Sequence, residues 1–338
     1  MQTTAFSASR LPSAQRWLKQ AAAPRWTVLF FLLTAAASLT IAEGWIAPTP
    51  VMLAPFMLLV VNLVAAILSS ARFRADLPLL VFHLALLALV ALVAFARLTY
   101  LDGRATLSRG TVFEGAMERE ERGPLHWGRL STLRFSNEGV AARYSPQGNY
   151  TGTFNRVRWQ DADGRWHRAE IGDDRPLIVE GYRIYATVHR GLAPLFRWEP
   201  VKGAAELGSV QLEDHRTADV PPSVAWKLPG GPEVWVQLDF TPLPKPLGGQ
   251  QEDLGAAELE HALVMRTAGE RRIVRAGDTV DFPEGRLTYV KLDSWMSYRF
   301  VYDPTIPWII ATVLIGVASL VWFYTARVWS KPLREDDE

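Results

Sequence analysis

The chain contains no cysteine and almost no excess charge, since 36 lysines and arginines stand against 35 acidic residues. The absence of cysteine excludes disulfides, zinc–thiolate centres, dithiol redox chemistry and any cofactor held by this chain through a thioether. A formal net charge of +1 gives no reason to expect a nucleic-acid partner. The sequence also lacks a glycine-rich phosphate loop, a GxSxG motif and an HExxH motif. The familiar catalytic patterns are therefore missing from the sequence.

Hydrophobic residues make up 49% of the chain, and their distribution is strongly uneven. Residues 26–97 and 306–327 are apolar over long runs, whereas residues 98–305 mix charged, polar and turn-forming side chains. About 20 apolar residues at 1.5 Å each are enough to cross the hydrocarbon core of a bilayer. We therefore predict an integral membrane protein with four transmembrane helices and a large, mainly β, extracytoplasmic domain between the third and fourth helices.

The predicted transmembrane helices cover residues 26–46, 51–70, 78–97 and 306–327, and polar tails lie at 1–25 and 328–338. The first apolar run has small residues near its end, so a cleaved signal peptide is its alternative interpretation. Two more apolar runs follow closely, which favours a helical hairpin over a leader. Asn62, inside the second run, is expected to form a hydrogen bond between helices.

The distribution of lysine and arginine predicts the orientation of these helices. Basic residues occur in the N-terminal tail, in the loop at 71–77 and in the C-terminal tail, but not in the loop at 43–50. With four helices, all basic segments lie on one side, so both termini are expected in the cytoplasm. Residues 98–305 are then expected outside it. In a Gram-negative bacterium this means a multi-pass protein of the inner membrane with its large domain in the periplasm.

Alternation of apolar and polar residues predicts strands throughout residues 98–305. The segments RVRWQ (156–160) and RWHRAEI (165–171) flank an acidic, glycine-containing turn and predict a hairpin. Further strands are expected at 182–189, 233–240, 272–274, 279–282 and 287–292, whereas residues 256–263 are expected to be helical. The domain is expected to be a β-sandwich or barrel.

One polar residue, His83, interrupts the third apolar run, which is uncharged from residue 78 to residue 96. An imidazole without a partner is unfavourable in hydrocarbon, because it has lost its hydrogen bonds to water. One interpretation is a hydrogen bond to a carbonyl or hydroxyl group of a neighbouring helix. The other is an axial ligand of haem iron, for which imidazole is a usual donor. A second axial ligand would then come from a partner protein or a second copy, since no other predicted span has a histidine.

The remaining histidines are scattered through the predicted outer domain and are not spaced like the ligands of a metal site. We expect them to be surface or packing residues; they are His126, His167, His189, His215 and His261.

Several short motifs follow one another along the chain in a specific order. Three predicted spans precede a large outer domain and one follows it. The third span continues from VFHLALLALVALVAF into LTYLDGRATLSRG, a histidine-bearing helix followed by a glycine-spaced turn. The segment RPLIVEGYRIY (175–185) has a Pro-Leu…Gly-Tyr pattern, and Tyr-Asp-Pro at 302–304 and FYTARVW stand at the two ends of the last span. In this order, the motifs resemble those of the ResB-like proteins of system II cytochrome c maturation.

The resemblance implies a role in cytochrome c biogenesis. In that family the protein works with CcsA, a multi-span membrane protein, and the pair carries haem across the membrane and presents it to apocytochrome c. His83 matches the third-span histidine that pairs with a histidine of CcsA, so the resemblance implies a transient, shared haem b with His83 as an axial ligand of the haem iron. The chain would then be a non-catalytic part of a haem-lyase complex, and its outer domain a scaffold.

Two other interpretations remain open at this point. The chain is alternatively a structural or docking subunit of another membrane complex, with His83 as a packing residue. A sensor of an external ligand is less favoured, because the 12 residues after Ala326 hold no signalling domain.

Overall fold

A computed structural model describes residues 13–43, 48–145, 147, 150–172, 174–213, 221–240, 251–253, 260–267 and 270–329. These residues divide into two compact units. The helical unit comprises the described residues up to Tyr100, the segment Arg122–Trp127 and those from Asp303 onward. The β-rich unit comprises Leu101–Glu121 and Gly128–Tyr302.

The described residues of the helical unit form six helices. They are α1 (Ser13–Ala21), α2 (Pro24–Ala42), α3 (Pro48–Ser69), α4 (Ala71–Ala75), α5 (Leu77–Thr99) and α6 (Ile306–Trp329). Helices α2, α3, α5 and α6 are long and apolar enough to cross a membrane. The four apolar helices expected from the sequence are therefore present, and they indicate a membrane-spanning protein.

The helix bounds differ from those predicted in ways that follow from local chemistry. Helix α3 begins at Pro48, three residues earlier than expected, because proline in a first turn lacks only an N–H group that has no partner inside the helix. Helix α2 ends at Ala42, and residues 44–47 lie outside the described part of the chain. Helix α1 lies in the segment 1–25, for which no helix was expected.

Asn62 links three helices through its side-chain amide. Its Oδ1 accepts a hydrogen bond of 2.6 Å from Thr27 Oγ1 on α2. Its Nδ2 donates a bond of 2.6 Å to the carbonyl of Ala21 at the end of α1. The side chain on α3 is only 3% exposed. The predicted hydrogen bond between helices is thus confirmed, and it joins α1, α2 and α3.

Helices α5 and α6 pack through small residues. A Cβ atom added to Gly316 would lie 3.4 Å from Cβ of Ala85 on α5. Ser319, one turn further along α6, is buried, and its Oγ donates a 3.0 Å bond to the Gly316 carbonyl. The rest of α6 exposes large apolar side chains, as a lipid-facing helix does.

The β-rich unit is built from antiparallel sheets. Its strands are β1 (Leu101–Ser108), β2 (Arg119–Arg122), β3 (Phe135–Tyr144), β4 (Tyr150–Gln160), β5 (Trp166–Gly172), β6 (Leu177–Val179), β7 (Tyr182–Pro200), β8 (Glu206–Ser209), β9 (Leu212–Glu213), β10 (Ser223–Lys227), β11 (Glu233–Phe240), β12 (Gln251–Asp253), β13 (His261–Thr267), β14 (Glu270–Val274), β15 (Thr279–Phe282) and β16 (Gly285–Tyr302). One sheet has the order β2-β1-β16-β7-β6, with β15 on β16 and with β8 and β9 on β7. Two smaller sheets have the orders β10-β11-β13-β14 and β12-β3-β4-β5.

The long strands β7 and β16 contribute to two separate hydrophobic cores. They pair along their whole length, with register shifts at Tyr289/Lys291 and at Met296/Tyr298. Their halves near Tyr182 and Tyr302 pack against the sheet of β3, β4 and β5 in the first core. Their other halves pack against the sheet of β11, β13 and β14 in the second core. The expected sandwich is therefore realised twice along two shared strands.

A cluster of polar groups is buried in the first core, and we call it the Asn155 cluster: the side chains of Asn137, Asn155 and Tyr298 and the backbone of Gly139. Tyr298 Oη on β16 donates a 2.7 Å bond to Asn155 Oδ1 on β4. Asn155 Nδ2 donates bonds of 2.8 Å to Asn137 Oδ1 and to the Gly139 carbonyl. Burial raises the pKa of Tyr298 well above its ordinary value. The cluster ties the large sheet to the smaller sheet of β3 and β4.

The strand predictions hold where the signal is local. The hairpin of β4 and β5 pairs Gln160 with Trp166 across the predicted turn, and the strand predicted at 233–240 is β11. The strands predicted at 182–189 and 287–292 are parts of the much longer β7 and β16.

The helix predicted at 256–263 is wrong at residues 261–263, which begin β13, while residues 256–259 lie outside the described part of the chain. Leu263 is fully buried and pairs with Val274, so burial in the second core outweighs the local helical preference.

Candidate ligand site at His83

His83 lies near the first residues of α5. The helix starts cleanly because Pro78 occupies its first turn and Asp76 Oδ1 accepts a 3.4 Å hydrogen bond from the Leu79 amide. His83 is six positions after Leu77, which places it about 9 Å along the helix axis. Its side chain is half-buried. His83 thus lies on the helix formed by the third apolar run.

The imidazole of His83 is tied to its own helix. Its Nδ1 lies 2.8 Å from the carbonyl oxygen of Leu79. Because a carbonyl only accepts, Nδ1 carries a proton, and in the neutral form of the ring Nε2 then keeps its lone pair. No hydrogen bond to Nε2 occurs within the described ranges. The hydrogen bond to another helix that was considered for His83 is replaced by this bond within α5.

Two phenylalanines surround the imidazole. The ring of Phe73 on α4 lies 4.2 Å from it, centroid to centroid, at an interplanar angle of 41°. The ring of Phe82 lies 5.5 Å away in an edge-on arrangement. These contacts restrict the orientation of the ring and keep its surroundings apolar. Metal-binding histidines commonly hold Nδ1–H against a backbone carbonyl, which fixes the tautomer and directs Nε2 to the metal.

The donor set at His83 fits one axial position of a haem iron and no more. The described segments contain no group of three histidine, aspartate or glutamate side chains that could hold a metal ion. A six-coordinate haem would need a second axial ligand besides His83.

The other described histidines have partners of their own. The closest contacts are His126 Nδ1 to the Thr99 carbonyl (2.9 Å), His167 Nε2 to Asp161 Oδ2 (2.6 Å), His189 Nδ1 to Glu213 Oε1 (3.7 Å) and His261 Nε2 to Tyr289 Oη (2.7 Å). His215 lies outside the described residues. The hydrogen bond from His167 is the main reason that the pKa of Asp161 is lowered, followed by the backbone amide of Arg165. His126 belongs to the helical unit and not to the predicted outer domain, whereas His167, His189 and His261 lie on β5, β7 and β13.

A shallow depression on the β-rich unit gathers charged side chains. It is lined by Arg109, Glu138, Arg156, Arg168 and Glu170. Strands β3, β4 and β5 position four of these residues, and Arg109 follows β1. Because three arginines and two glutamates line it, the depression is suited to polar protein contacts rather than to an apolar ligand.

Sequence reasoning missed Phe73 as a neighbour of His83. The sequence pattern predicts only a basic loop at ARFRA (71–75), whereas this segment forms α4. An aromatic residue between two arginines beside an apolar run was the available signal, because such a segment turns its ring toward the apolar side.

No family model matches the chain, and no curated protein matches it. Among solved structures, the protein described as "Cytochrome c Heme Lyase CcmF" is similar with a TM-score of 0.31 and 12% sequence identity. The match covers 94% of this chain and 36% of that chain. A likeness at this level carries no argument about fold or function.

Proposed function

We propose that this chain is a membrane component of cytochrome c biogenesis that carries haem across the membrane together with a CcsA-like partner. His83 supplies one axial ligand of a transiently bound haem b, and a histidine of the partner supplies the other. The complex presents the haem for attachment to apocytochrome c. The β-rich unit acts as a scaffold, so the chain is not catalytic on its own. The membrane is the bacterial inner membrane, with both termini in the cytoplasm and residues 98–305 in the periplasm.

The observation that carries this proposal is the hydrogen bond between His83 Nδ1 and the Leu79 carbonyl. It leaves the Nε2 lone pair as the donor, in the tautomer that metal ligation through Nε2 requires. Haem, as the cargo, contributes the iron that accepts such a lone pair. Phe73 and Phe82 help to keep water, which competes for the iron, away from the ring.

Charge near His83 also supports an anionic cargo. Arg72 is exposed on α4, directly before Phe73. Haem carries two propionate groups, and an arginine is well suited to bind a carboxylate. The ligand residue and a complementary charge thus belong to neighbouring helices of one unit.

A second candidate is a structural or docking subunit of another membrane complex. The contacts of His83 with Phe73 and Phe82 favour it, because an imidazole bonded to its own helix and packed among aromatic rings is also a satisfied structural residue. The charged depression on the β-rich unit would then be the docking surface.

Absorption spectra of the full chain, purified in detergent alone and with a co-expressed CcsA-like partner, test the proposal. We expect a low-spin b-type spectrum in the complex. His83→Ala should weaken it, and added imidazole should restore it by filling the vacated axial position. His189→Ala is the matched control, because His189 lies on β7 and contacts Glu213. It should leave the spectrum unchanged.

Equal haem content in the wild-type and His83→Ala complexes would remove His83 as a ligand and leave the structural subunit as the better account. Loss of haem in both His83→Ala and His189→Ala would indicate general damage to the complex. In that case, only a spectrum that imidazole restores in His83→Ala and not in His189→Ala would support ligation by His83.

A further inference from the structure

A short segment of the chain returns to the end of α5. This return segment, Arg122–Trp127, follows β2 and belongs to the helical unit. The Gly123 amide donates a 2.9 Å bond to the Tyr100 carbonyl, and the Leu125 amide donates a 2.8 Å bond to the Leu98 carbonyl. His126 Nδ1 donates to the Thr99 carbonyl at 2.9 Å. The carbonyls of Leu98 and Thr99 lie in the last turn of α5 and that of Tyr100 follows it, so the helix itself supplies no N–H donor for them.

Gly123 makes this attachment close. A Cβ atom at this position would lie 2.2 Å from the carbonyl oxygen of Leu98, so any other residue would push the return segment away from the backbone of α5. Gly123 itself is buried. The return segment is therefore fixed against the last turn of α5, and its side chains have a fixed position along the axis of that helix.

Two apolar side chains of the return segment are exposed. Leu125 is 57% exposed and Trp127 is 53% exposed. The Trp127 ring lies 5.9 Å from the ring of Phe95, which is itself exposed on the last turns of α5. Leu125, Trp127 and Phe95 thus form a small exposed apolar patch beside the last turns of α5.

We propose that the return segment is an interfacial anchor, in which Leu125 and Trp127 insert into the boundary between headgroups and acyl chains of the phospholipid bilayer. Helix α5 has 23 residues, so it extends about 34 Å, slightly more than a hydrocarbon core of about 30 Å. Its last turn, to which the segment is bonded, falls at that boundary. Tryptophan favours this depth because its ring is apolar and its N–H group is polar.

Phospholipid is the occupant that these contacts favour. The patch is continuous with a helix whose own exposed surface is apolar along its length, and lipid is the solvent of such a surface. The anchor would fix the depth at which α5 sits in the membrane. It does not depend on haem binding by His83.

The absence of cysteine allows a direct test, because single-cysteine variants of the full chain can be labelled with an environment-sensitive fluorophore. Leu125→Cys is the test position, and Pro124→Cys is a second exposed position next to it. Val317→Cys, exposed in the middle of α6, marks the acyl region. Ala162→Cys, exposed between Asp161 and Asp163, marks water, since those carboxylates disfavour lipid.

Each labelled variant is reconstituted into phosphatidylcholine nanodiscs that contain lipid with a nitroxide either near the headgroup or near the chain end. For the labels at 125 and 124 we expect several times more quenching by the shallow nitroxide than the label at 162 shows. For the label at 317 we expect the deep nitroxide to quench more than the shallow one. Quenching at both 125 and 124 no greater than at 162 would overturn the proposal and assign the patch to water or to a protein partner.

Discussion

Replacing Tyr298 by phenylalanine removes one hydroxyl from the Asn155 cluster and almost no volume. The hydroxyl is fully buried and donates to Asn155 Oδ1 at 2.7 Å. Without the hydroxyl, Asn155 Oδ1 loses its hydrogen-bond donor in a site that water does not reach. Leaving a buried polar group unpaired costs about 1–3 kcal/mol, so we expect Tyr298→Phe to lower the free energy of unfolding by that amount.

Asn155→Ala should cost more. It removes the acceptor of the Tyr298 hydroxyl and the donor to both Asn137 and the Gly139 carbonyl. The Tyr298 hydroxyl and the Gly139 carbonyl then lose a partner, whereas Asn137 Oδ1 keeps its bond from the Gly139 amide, and we expect a loss of about 3–5 kcal/mol. In the double variant, Asn155→Ala no longer leaves an unpaired hydroxyl, because Tyr298→Phe has removed that hydroxyl. The destabilisation of the double variant should therefore be smaller than the sum of the two single-variant values by about 1–2 kcal/mol.

The assay is guanidinium-induced unfolding of the full chain in mild detergent, followed by near-UV circular dichroism of its packed aromatic residues. Tyr324→Phe is the control, because Tyr324 is 60% exposed on α6 and should leave stability unchanged. Strict additivity of Tyr298→Phe and Asn155→Ala would refute the reasoning, since it would mean that the two side chains do not interact.

Three further outcomes are expected. Asn62→Ala should lower helical stability by about 1–2 kcal/mol, roughly twice the effect of Thr27→Val, because it breaks two hydrogen bonds instead of one; equal effects in detergent unfolding would contradict this. Gly316→Ala should be tolerated, since its Cβ meets α5 at ordinary contact distance, whereas Gly316→Leu should separate α5 from α6 and lower the melting temperature. Asp161→Asn should destabilise the β4–β5 hairpin at neutral pH but not in acid, because the lowered pKa of Asp161 means that its contribution with His167 is lost as pH falls through that pKa. Hydrogen exchange of hairpin amides, compared at the two pH values, measures this, and a pH-independent difference would count against it.

The features predicted correctly from the sequence depend on neighbouring residues. Helices α2, α3, α5 and α6 follow from the length and composition of single runs. The β4–β5 hairpin follows from its acidic turn, in which Asp161 Oδ1 accepts bonds from the amides of Asp163 and Arg165. The position of His83 follows from the same local pattern.

The features that were missed depend on residues far apart in the chain. Alternation along β7 and β16 reveals which side chains are buried, but not that two cores share these strands. Asn137 and Asn155 look like ordinary polar residues until the irregular register between β3 and β4 brings them together with Tyr298. The tautomer of His83 depends on its rotamer, and its contact with Phe73 on the folding of α4. Neither can be deduced from composition.

The pairing of β1 with β16 has a consequence for synthesis of the chain. Asp102 on β1 and Arg299 on β16 form an ion pair across this contact, although they are 197 residues apart in sequence. At translation rates of about 5–20 residues per second, β1 is synthesised about 10–40 s before β16, the strand with which it pairs. During that interval β1 has two open edges, and the charged, exposed strand β2 can cover only one of them. Because β16 joins β1 to β7 and completes both cores, the β-rich unit closes only when almost its last residue has been made.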